Sequence, residues 1–356
     1  MSHVRLANVT KRFGQVIAVN RLNLEVERGE CFSMLGPSGC GKTTTLRMLA
    51  GFEDLDGGEI RVGDRLLSSR SGNFYLPPEK RDFGMVFQAF AIWPHLSVYE
   101  NVAFPLRLRK LPASEIERRV GDALASTNLL AEAKGGPADL SGGGKQRVAL
   151  ARALAINPDV MLLDEPLSSL DPHLREEMRF EIKDLQKKYG FSIIYVTHDQ
   201  AEAMALSDRI LVMNFGVSQQ IDTPLRVYNN PANKFVFGFI GLSNFLRLVP
   251  GAEGLCTPDG STIMPRDMGP PEGLLRLKAP LFLASRPSEI DFDAVSGLRG
   301  LVTRKAFLGE IVDYQVRVGD QDVRVQKGRR SPGPEVGEVC GLCFRLPHWY
   351  PVDEPV

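Results

Sequence analysis

The sequence lacks a charge excess of either sign. Lysine plus arginine equals aspartate plus glutamate at 43 each, so no global positive field exists to hold a polyanion, and a nucleic-acid role is disfavoured. It also lacks any apolar run approaching membrane-spanning length, and the N-terminus, Met1-Ser-His-Val-Arg-Leu, has no continuous apolar core of the signal-peptide kind. The chain therefore reads as soluble and cytoplasmic. Cysteine is scarce and odd in number at five. Cys31 and Cys40 flank a glycine-rich stretch that a disulfide would distort, so reduced thiols are expected. Cys340-Gly-Leu-Cys343 has metal or redox spacing but stands without a second ligand pair. No internal repeat or low-complexity segment is present.

What is there suggests two domains, because 356 residues exceed one comfortable core. Val4, Leu6, Val9 and then Leu22, Leu24, Val26 alternate with polar residues as strands do. Cys31 to Leu35 is a short apolar strand that runs into the glycine-rich stretch; Thr43 to Ala50 suits a helix stopped by Gly51. From about 90 to 150 the pattern is helical, with a capping box at Ser97-Val-Tyr-Glu100 and Ile116, Val120, Leu124 on one face. Buried-strand runs at Val160 to Leu163 and Phe191 to Val196 bracket a helix capped by Asp171-Pro172, with its stripe at Leu174, Met178, Ile182 and Leu185. Alternating strands and helices argue for a mostly parallel sheet. Beyond about Asn244 short strands punctuated by glycine and proline take over, as in Val312 to Val318, the Gly319-Asp320 turn, and Val323, Val325. The expected organisation is an α/β domain over 1–240 with a helical insertion near 90–150, then an all-β domain over 241–356.

Gly36-Pro37-Ser38-Gly39-Cys40-Gly41-Lys42-Thr43, followed by Thr44, fits the phosphate-loop pattern G-x-x-x-x-G-K-[ST] between a strand and a helix. Glycines let the backbone wrap phosphates and aim N–H groups at them from a helix N-terminus. Lys42 would reach the β- and γ-phosphates and the Thr43 hydroxyl would ligate magnesium, so ATP and Mg2+ are the expected ligands. Met161-Leu-Leu-Asp164-Glu165 ends an apolar strand in two carboxylates that strand geometry points apart, Asp164 for the metal and Glu165 as general base. Cys40, at a helix N-terminus near Lys42, is expected to favour its thiolate.

Leu140-Ser141-Gly142-Gly143-Gly144-Lys145-Gln146-Arg147 resembles the signature loop of the ATP-binding cassette (ABC) ATPases. The resemblance implies a P-loop NTPase fold and a head-to-tail dimer, with each ATP held between one chain's phosphate loop and Ser141, Gly142 and Gly143 of a second copy. It further implies Gln88 as the glutamine that touches magnesium and the attacking water, Ser168-Ser-Leu-Asp171 as the loop that communicates across the dimer, His198 as the switch histidine, and Phe13 as the aromatic stacked on adenine. One position departs: the family usually has glutamine where this chain has Gly144, in a helical first turn where glycine costs up to about 1 kcal/mol; Ser141 and the backbone donors remain, so retained but slower hydrolysis is expected.

The segment Ala89 to Phe104 is similar to the groove that takes a cytoplasmic permease helix in importers, although Phe90 and Trp93 equally suit core. Thr223 to Asn244, Arg286-Pro-Ser-Glu289 and Phe307-Leu-Gly309 resemble the bridge to, and patterns within, an accessory OB-like (TOBE-type) barrel. The implied role is the ATP-hydrolysing motor of a solute importer, peripheral on the inner face of the membrane, with transmembrane permease subunits and, indirectly, a solute-binding protein as partners. Resembling importers carry polyamines, ferric iron, phosphonates, sugars or sulfate, and the texture around Trp93 leans to the polyamine or ferric-iron type. The rival readings are a soluble cassette ATPase, which tandem cassettes or a long coiled-coil insertion would mark, and a catalytically weak regulatory subunit, against which Lys42, Asp164, Glu165 and His198 stand intact.

Overall fold

A computed structural model describes residues 2–252, 254–265, 268–275, 279–293 and 297–352. The chain divides into two units, Met1–Asn230 and Pro231–Val356.

In the first unit the alternating N-terminal segments form β1 (Ser2–Phe13) and β2 (Val16–Glu27), antiparallel to one another. With β4 (Gly57–Val62), β5 (Arg65–Ser69) and β6 (Phe74–Tyr75) they make a five-stranded sheet in the order β2-β1-β4-β5-β6. Val4, Leu6, Leu22, Leu24 and Val26 all point into one core, as period-two alternation requires.

The second sheet is built from strands buried on both faces: β3 (Cys31–Leu35), β7 (Gly84–Val86), β8 (Val160–Asp164), β9 (Ser192–Val196) and β10 (Arg209–Asn214). Continuous apolar runs are what such strands need. Their order is β11-β10-β3-β9-β8-β7, and every pairing is parallel except the hairpin of β10 with β11 (Val217–Asp222). Parallel pairing brings the carboxyl ends of β3, β7, β8 and β9 to one edge, where ligands of open α/β sheets bind.

Between β7 and β8 lie three helices, α2 (Val98–Leu108), α3 (Ala113–Ser126) and α4 (Gly142–Ala155), packed on one core with α5 (Pro172–Tyr189). The Ser97–Glu100 capping box is formed in both directions. Gly190, at φ 72°, ends α5 in the left-handed conformation that glycine adopts without steric cost.

The helix after β3, α1 (Lys42–Ala50), is closed by a buried cation from a distant loop. Arg81, 2% exposed, donates to the carbonyls of Met48 and Leu49 at 2.7 Å each and to Leu76 O and Ser68 Oγ. Burial pushes its guanidinium down to about 10. Gly51 has to be glycine here, because a Cβ at that position would stand 2.5 Å from Arg81 Nε, and its φ is 83°.

The second unit begins before the expected boundary at 240. The helix Lys234–Phe239 goes with it because Phe237 packs with Ala284 and Tyr350 of that unit. Two antiparallel sheets follow: a four-stranded one through Asn244–Pro250, Leu255–Cys256, Leu281–Ser285 and His348–Pro351, and a five-stranded one through Ile290–Asp293, Leu298–Phe307, Ile311–Val318, Gln321–Gly328 and Val339–Phe344. They share one apolar core, to which the expected Val312, Tyr314, Val316, Val318, Val323 and Val325 contribute. Arg286, 2% exposed, lies over the Phe237 ring and donates to the carbonyls of Phe237, Ile240 and Leu242. The resemblance noted at Arg286-Pro-Ser-Glu289 thus falls on a residue that fastens the end of the unit's first helix to its sheets. No helix among the described residues is long and apolar enough to cross a membrane.

Candidate active site

The loop between β3 and α1 turns under steric compulsion. A Cβ on Gly36 would stand 2.4 Å from Met213 O and 2.6 Å from Cys40 Sγ, and one on Gly41, φ 105°, would stand 2.4 Å from Ala18 O. Only glycine lets the loop close this tightly. A cleft of about 300 Å³ opens over it, lined by Ser38, Gly39, Gly41, Lys42, Thr43, Thr44, Glu165 and His198. Lys42 is buried, with Nζ donating to Gly36 O at 2.7 Å and Pro37 O at 2.9 Å. The residues fit a nucleotide's phosphates: an ammonium, a hydroxyl and a helix N-terminus converge where no side chain intrudes.

Two carboxylates stand at the end of β8, of which Glu165 lines the cleft and Asp164 reaches it through Thr43, and they part by a turn rather than by strand pleating. The strand stops at Asp164, whose Oδ1 accepts from Thr43 Oγ1 at 3.3 Å. Burial pushes Asp164 above the ordinary carboxylate range, opposed by that Thr43 hydrogen bond. Glu165 then adopts the left-handed region at φ 45° while its N–H still donates to Val196 O at 2.9 Å. That turn aims its carboxylate elsewhere: Oε2 lies 3.2 Å from His198 Nδ1 and 3.4 Å from Gln88 Nε2. A non-glycine residue in this region stores strain, which collects at functional positions.

Cys40 differs from expectation. It is buried, and burial pushes its thiol up, outweighing the attraction of Lys42, whose Nζ is 3.7 Å from the sulfur. The helix N-terminus does not prevail because desolvation of a thiolate dominates there. Gly36, Pro37 and Cys40 form the inner side of the loop and do not line the cleft.

The structure places the remaining sequence candidates apart from the cleft. Ser141 caps α4, its Oγ accepting from Gly144 N–H at 3.2 Å. The glycines beside it lie on the start of α5, where a Cβ on Gly143 would stand 2.8 Å from Leu174. Asp171 caps α5 by accepting from Leu174 N–H at 3.1 Å. Phe13 sits half-exposed at the tip of the β1–β2 hairpin with Lys11 Nζ 5.2 Å from its ring centre.

Two residues absent from the sequence reading organise the loop after β9. Glu202, 2% exposed, accepts from Thr197 Oγ1 at 2.7 Å and Tyr195 Oη at 2.8 Å. Arg175 on α5 bonds Asp199 at 3.1 Å and Leu170 O at 3.2 Å, tying the loop that ends in Asp171 to the one that carries His198. Their sequence signal was weak, since a lone charge in a helix reads as a solvated face.

A groove of about 290 Å³ is lined by Phe87, Ala91, Trp93, Phe104, Leu108 and Arg152. Trp93 therefore lines the groove, whereas Phe90 packs against the helical core.

Comparison with known proteins accords with this geometry. Residues 19–168 match the ABC transporter family model and residues 283–351 match the TOBE domain. The spermidine/putrescine import ATP-binding protein PotA of Thermobifida fusca is 43% identical over 359 residues, covering 96% of this chain and 90% of that protein. The chain belongs to the ATP-binding subunits of ABC transporters. This ABC ATPase is also 52% identical over 256 residues to the trehalose/maltose import ATP-binding protein MalK of Thermococcus litoralis, covering 71% of this chain and 69% of that one. Among solved structures it is similar to the dimeric ABC transporter cassette MJ0796, with a TM-score of 0.54 and 31% identity over 62% of this chain and 98% of that one. The subunit is thus an ATPase coupled to transport, with an all-β TOBE region after the cassette.

Proposed function

We propose that this ABC ATPase drives solute import, working as a head-to-tail pair with a second copy of itself on the cytoplasmic face of a permease. The observation that carries the reading is the convergence of Lys42, Thr43, Glu165 and His198 on one cleft while Ser141, Gly142 and Gly143 lie outside it. A cleft with a phosphate loop, a base and a histidine but no signature residues is half of a site. In the pair, each cleft is completed by Ser141 and the glycine N–H groups of the second copy, which offer a capped helix N-terminus to the γ-phosphate.

Within that site Lys42 exchanges its loop carbonyls for phosphate oxygens, and the loop amides hold the remaining phosphate charge. Thr43, Asp164 and Gln88 are the residues that would hold Mg2+, which neutralises phosphate charge when bound. Glu165 orients and deprotonates the attacking water, and His198 stands against its carboxylate to meet the γ-phosphate. Phe13 offers its exposed ring to adenine, and Asp171 belongs to the loop facing the second copy. The apolar groove at Trp93 receives a cytoplasmic segment of the permease, which is how nucleotide-driven closure reaches the membrane. Relatives named for spermidine/putrescine and for trehalose/maltose share this cassette, which fits a motor that never touches cargo: cargo choice lies with the permease and its solute-binding protein.

The test is ATP hydrolysis by the purified chain alone and reconstituted with the permease that co-purifies with it. Hydrolysis that rises with permease and with protein concentration is expected; a rate indifferent to both would defeat the reading.

A further inference from the structure

Arg152 is a buried cation that none of the site's assigned roles uses. It stands in the last turn of α4, the helix that Ser141 starts, and is 8% exposed. Its Nη2 donates to Phe90 O at 2.7 Å and its Nη1 to Ala91 O at 2.5 Å, while the guanidinium carbon lies 5.0 Å from the Trp93 ring centre. No carboxylate among the described residues pairs with it. A guanidinium buried without a counter-ion is costly, and an apolar side chain of similar volume would fill the space more cheaply. The cost points to a role for the fork itself.

The two carbonyls it holds belong to strained backbone. Phe90 and Ala91 both occupy the left-handed region, at φ 59° and 50°. Two consecutive non-glycine residues persist there only where their surroundings fix them, and Arg152 is the distant side chain that bonds both of their carbonyls. The next stretch has a separate anchor: Asn101, fully buried, accepts from Trp93 N–H at 2.9 Å and donates to the carbonyls of Trp93, Leu96 and Ser97. The segment is thus pinned beyond Trp93, while at Phe90–Ala91 the turn's own N–H groups bond Phe87 O at 3.0 Å and Ala89 O at 2.6 Å and Arg152 supplies the two side-chain hydrogen bonds that tie the turn to α4. On one side of that pair is the groove, since Ala91, Trp93 and Arg152 all line it. On the other side, two residues upstream of Phe90, Gln88 bonds Glu165.

We propose that Arg152 is a positioning residue that links the Trp93 groove to Gln88 through the strained Phe90–Ala91 turn, so that a segment docked in the groove and a nucleotide in the cleft act on the same two hydrogen bonds. The groove's occupant as the permease is taken from the reading above. Lysine cannot replace arginine here, because one ammonium does not span two carbonyls and also stack on an indole.

The chain has two tryptophans, so Trp349→Phe leaves Trp93 as the sole indole reporter in the full-length protein. Its emission is recorded as MgATP is added, and kcat and KM for ATP are measured with and without permease. In the Arg152-bearing protein nucleotide changes the emission and permease raises kcat. In Arg152→Met the emission no longer responds and the stimulation falls by about tenfold or more, while KM for ATP alone stays within about twofold. Arg152→Lys, which keeps the charge and nearly the volume, shows the same losses with an intact melting transition, which a space-filling role would not produce. Retention of both responses in Arg152→Met, or in Arg152→Lys if the methionine variant does not fold, overturns the proposal. A parent chain that permease fails to stimulate defeats the docking reading instead, and the emission measurement still decides the Arg152 link.

Discussion

Glu165 Oε2 and His198 Nδ1 stand 3.2 Å apart, joined from the ends of two neighbouring parallel strands, β8 and β9. Replacing Glu165 by glutamine keeps the side chain's size and its ability to bond His198 while removing its basicity. Glu165→Gln is expected to lower hydrolysis by roughly 10²–10⁴-fold, the usual worth of a general base, and to leave ATP binding intact. Phosphate release and fluorescent-nucleotide titration on the same preparation check both halves.

Gly144 occupies the third position of α4, where a glutamine after an N-cap serine completes a capping box. Gly144→Gln adds that reciprocal bond and removes a glycine from a helix, together about 1 kcal/mol or slightly more. Against this, its Cβ would stand 3.1 Å from Leu140 Cβ, so Leu140 has to yield by a few tenths of an ångström. The net expectation is a rise in melting temperature of about 2–4 °C and a faster permease-coupled ATPase; an unchanged rate makes the departure neutral. Differential scanning fluorimetry and coupled ATPase assays read the two effects.

Leu108, 68% exposed, stands on the rim of the Trp93 groove. Leu108→Glu places a charge where an apolar segment is expected to dock, at little cost to the fold. Permease capture is expected to fail in co-purification, with the solitary ATPase rate within about twofold of the parent, as for surface substitutions.

Cys40 titrates above an ordinary thiol because it is buried. With the pKa raised, less thiolate is present near neutral pH than at a free cysteine, and the fraction grows as pH rises past the usual thiol range. Alkylation of Cys40 is therefore expected to be slow at pH 7 and to accelerate with pH beyond the point where exposed thiols level off. Peptide mass spectrometry after timed iodoacetamide exposure follows it site by site.

Much of this arrangement is legible in the sequence because it rests on local chemistry. Glycines at Gly36 and Gly41, an apolar run before Asp164 and a serine-capped turn at Ser141 each state their backbone requirement within a few residues. The rest depends on partners far apart in the chain. Arg152 meets Phe90 and Ala91 across some sixty positions, and Arg175 meets Asp199 across 24. Nothing in a single charged residue on a helix distinguishes such a partner from water. Cys40 departs from expectation for a related reason: proximity to Lys42 is readable from spacing, whereas the depth of burial that overrides it is a property of packing. The boundary between the two units lies earlier than expected because the neighbours of Phe237, namely Phe245, Ala284 and Tyr350, all follow it in the second unit.

Arg81 closes the far end of the helix whose near end is proposed to meet phosphate. An anion at the first turn and a cation at the last are each favoured by the helix dipole, and a ligand that binds only the folded chain adds its binding energy to stability. Nucleotide affinity and the thermal resistance of this half of the chain are then not separate properties. A substitution at Arg81, which takes its hydrogen bonds from Leu49 O and leaves Met48 O only the Gly51 N–H, would loosen the grip on ATP from the opposite end of α1, and saturating ATP would return part of the lost melting temperature.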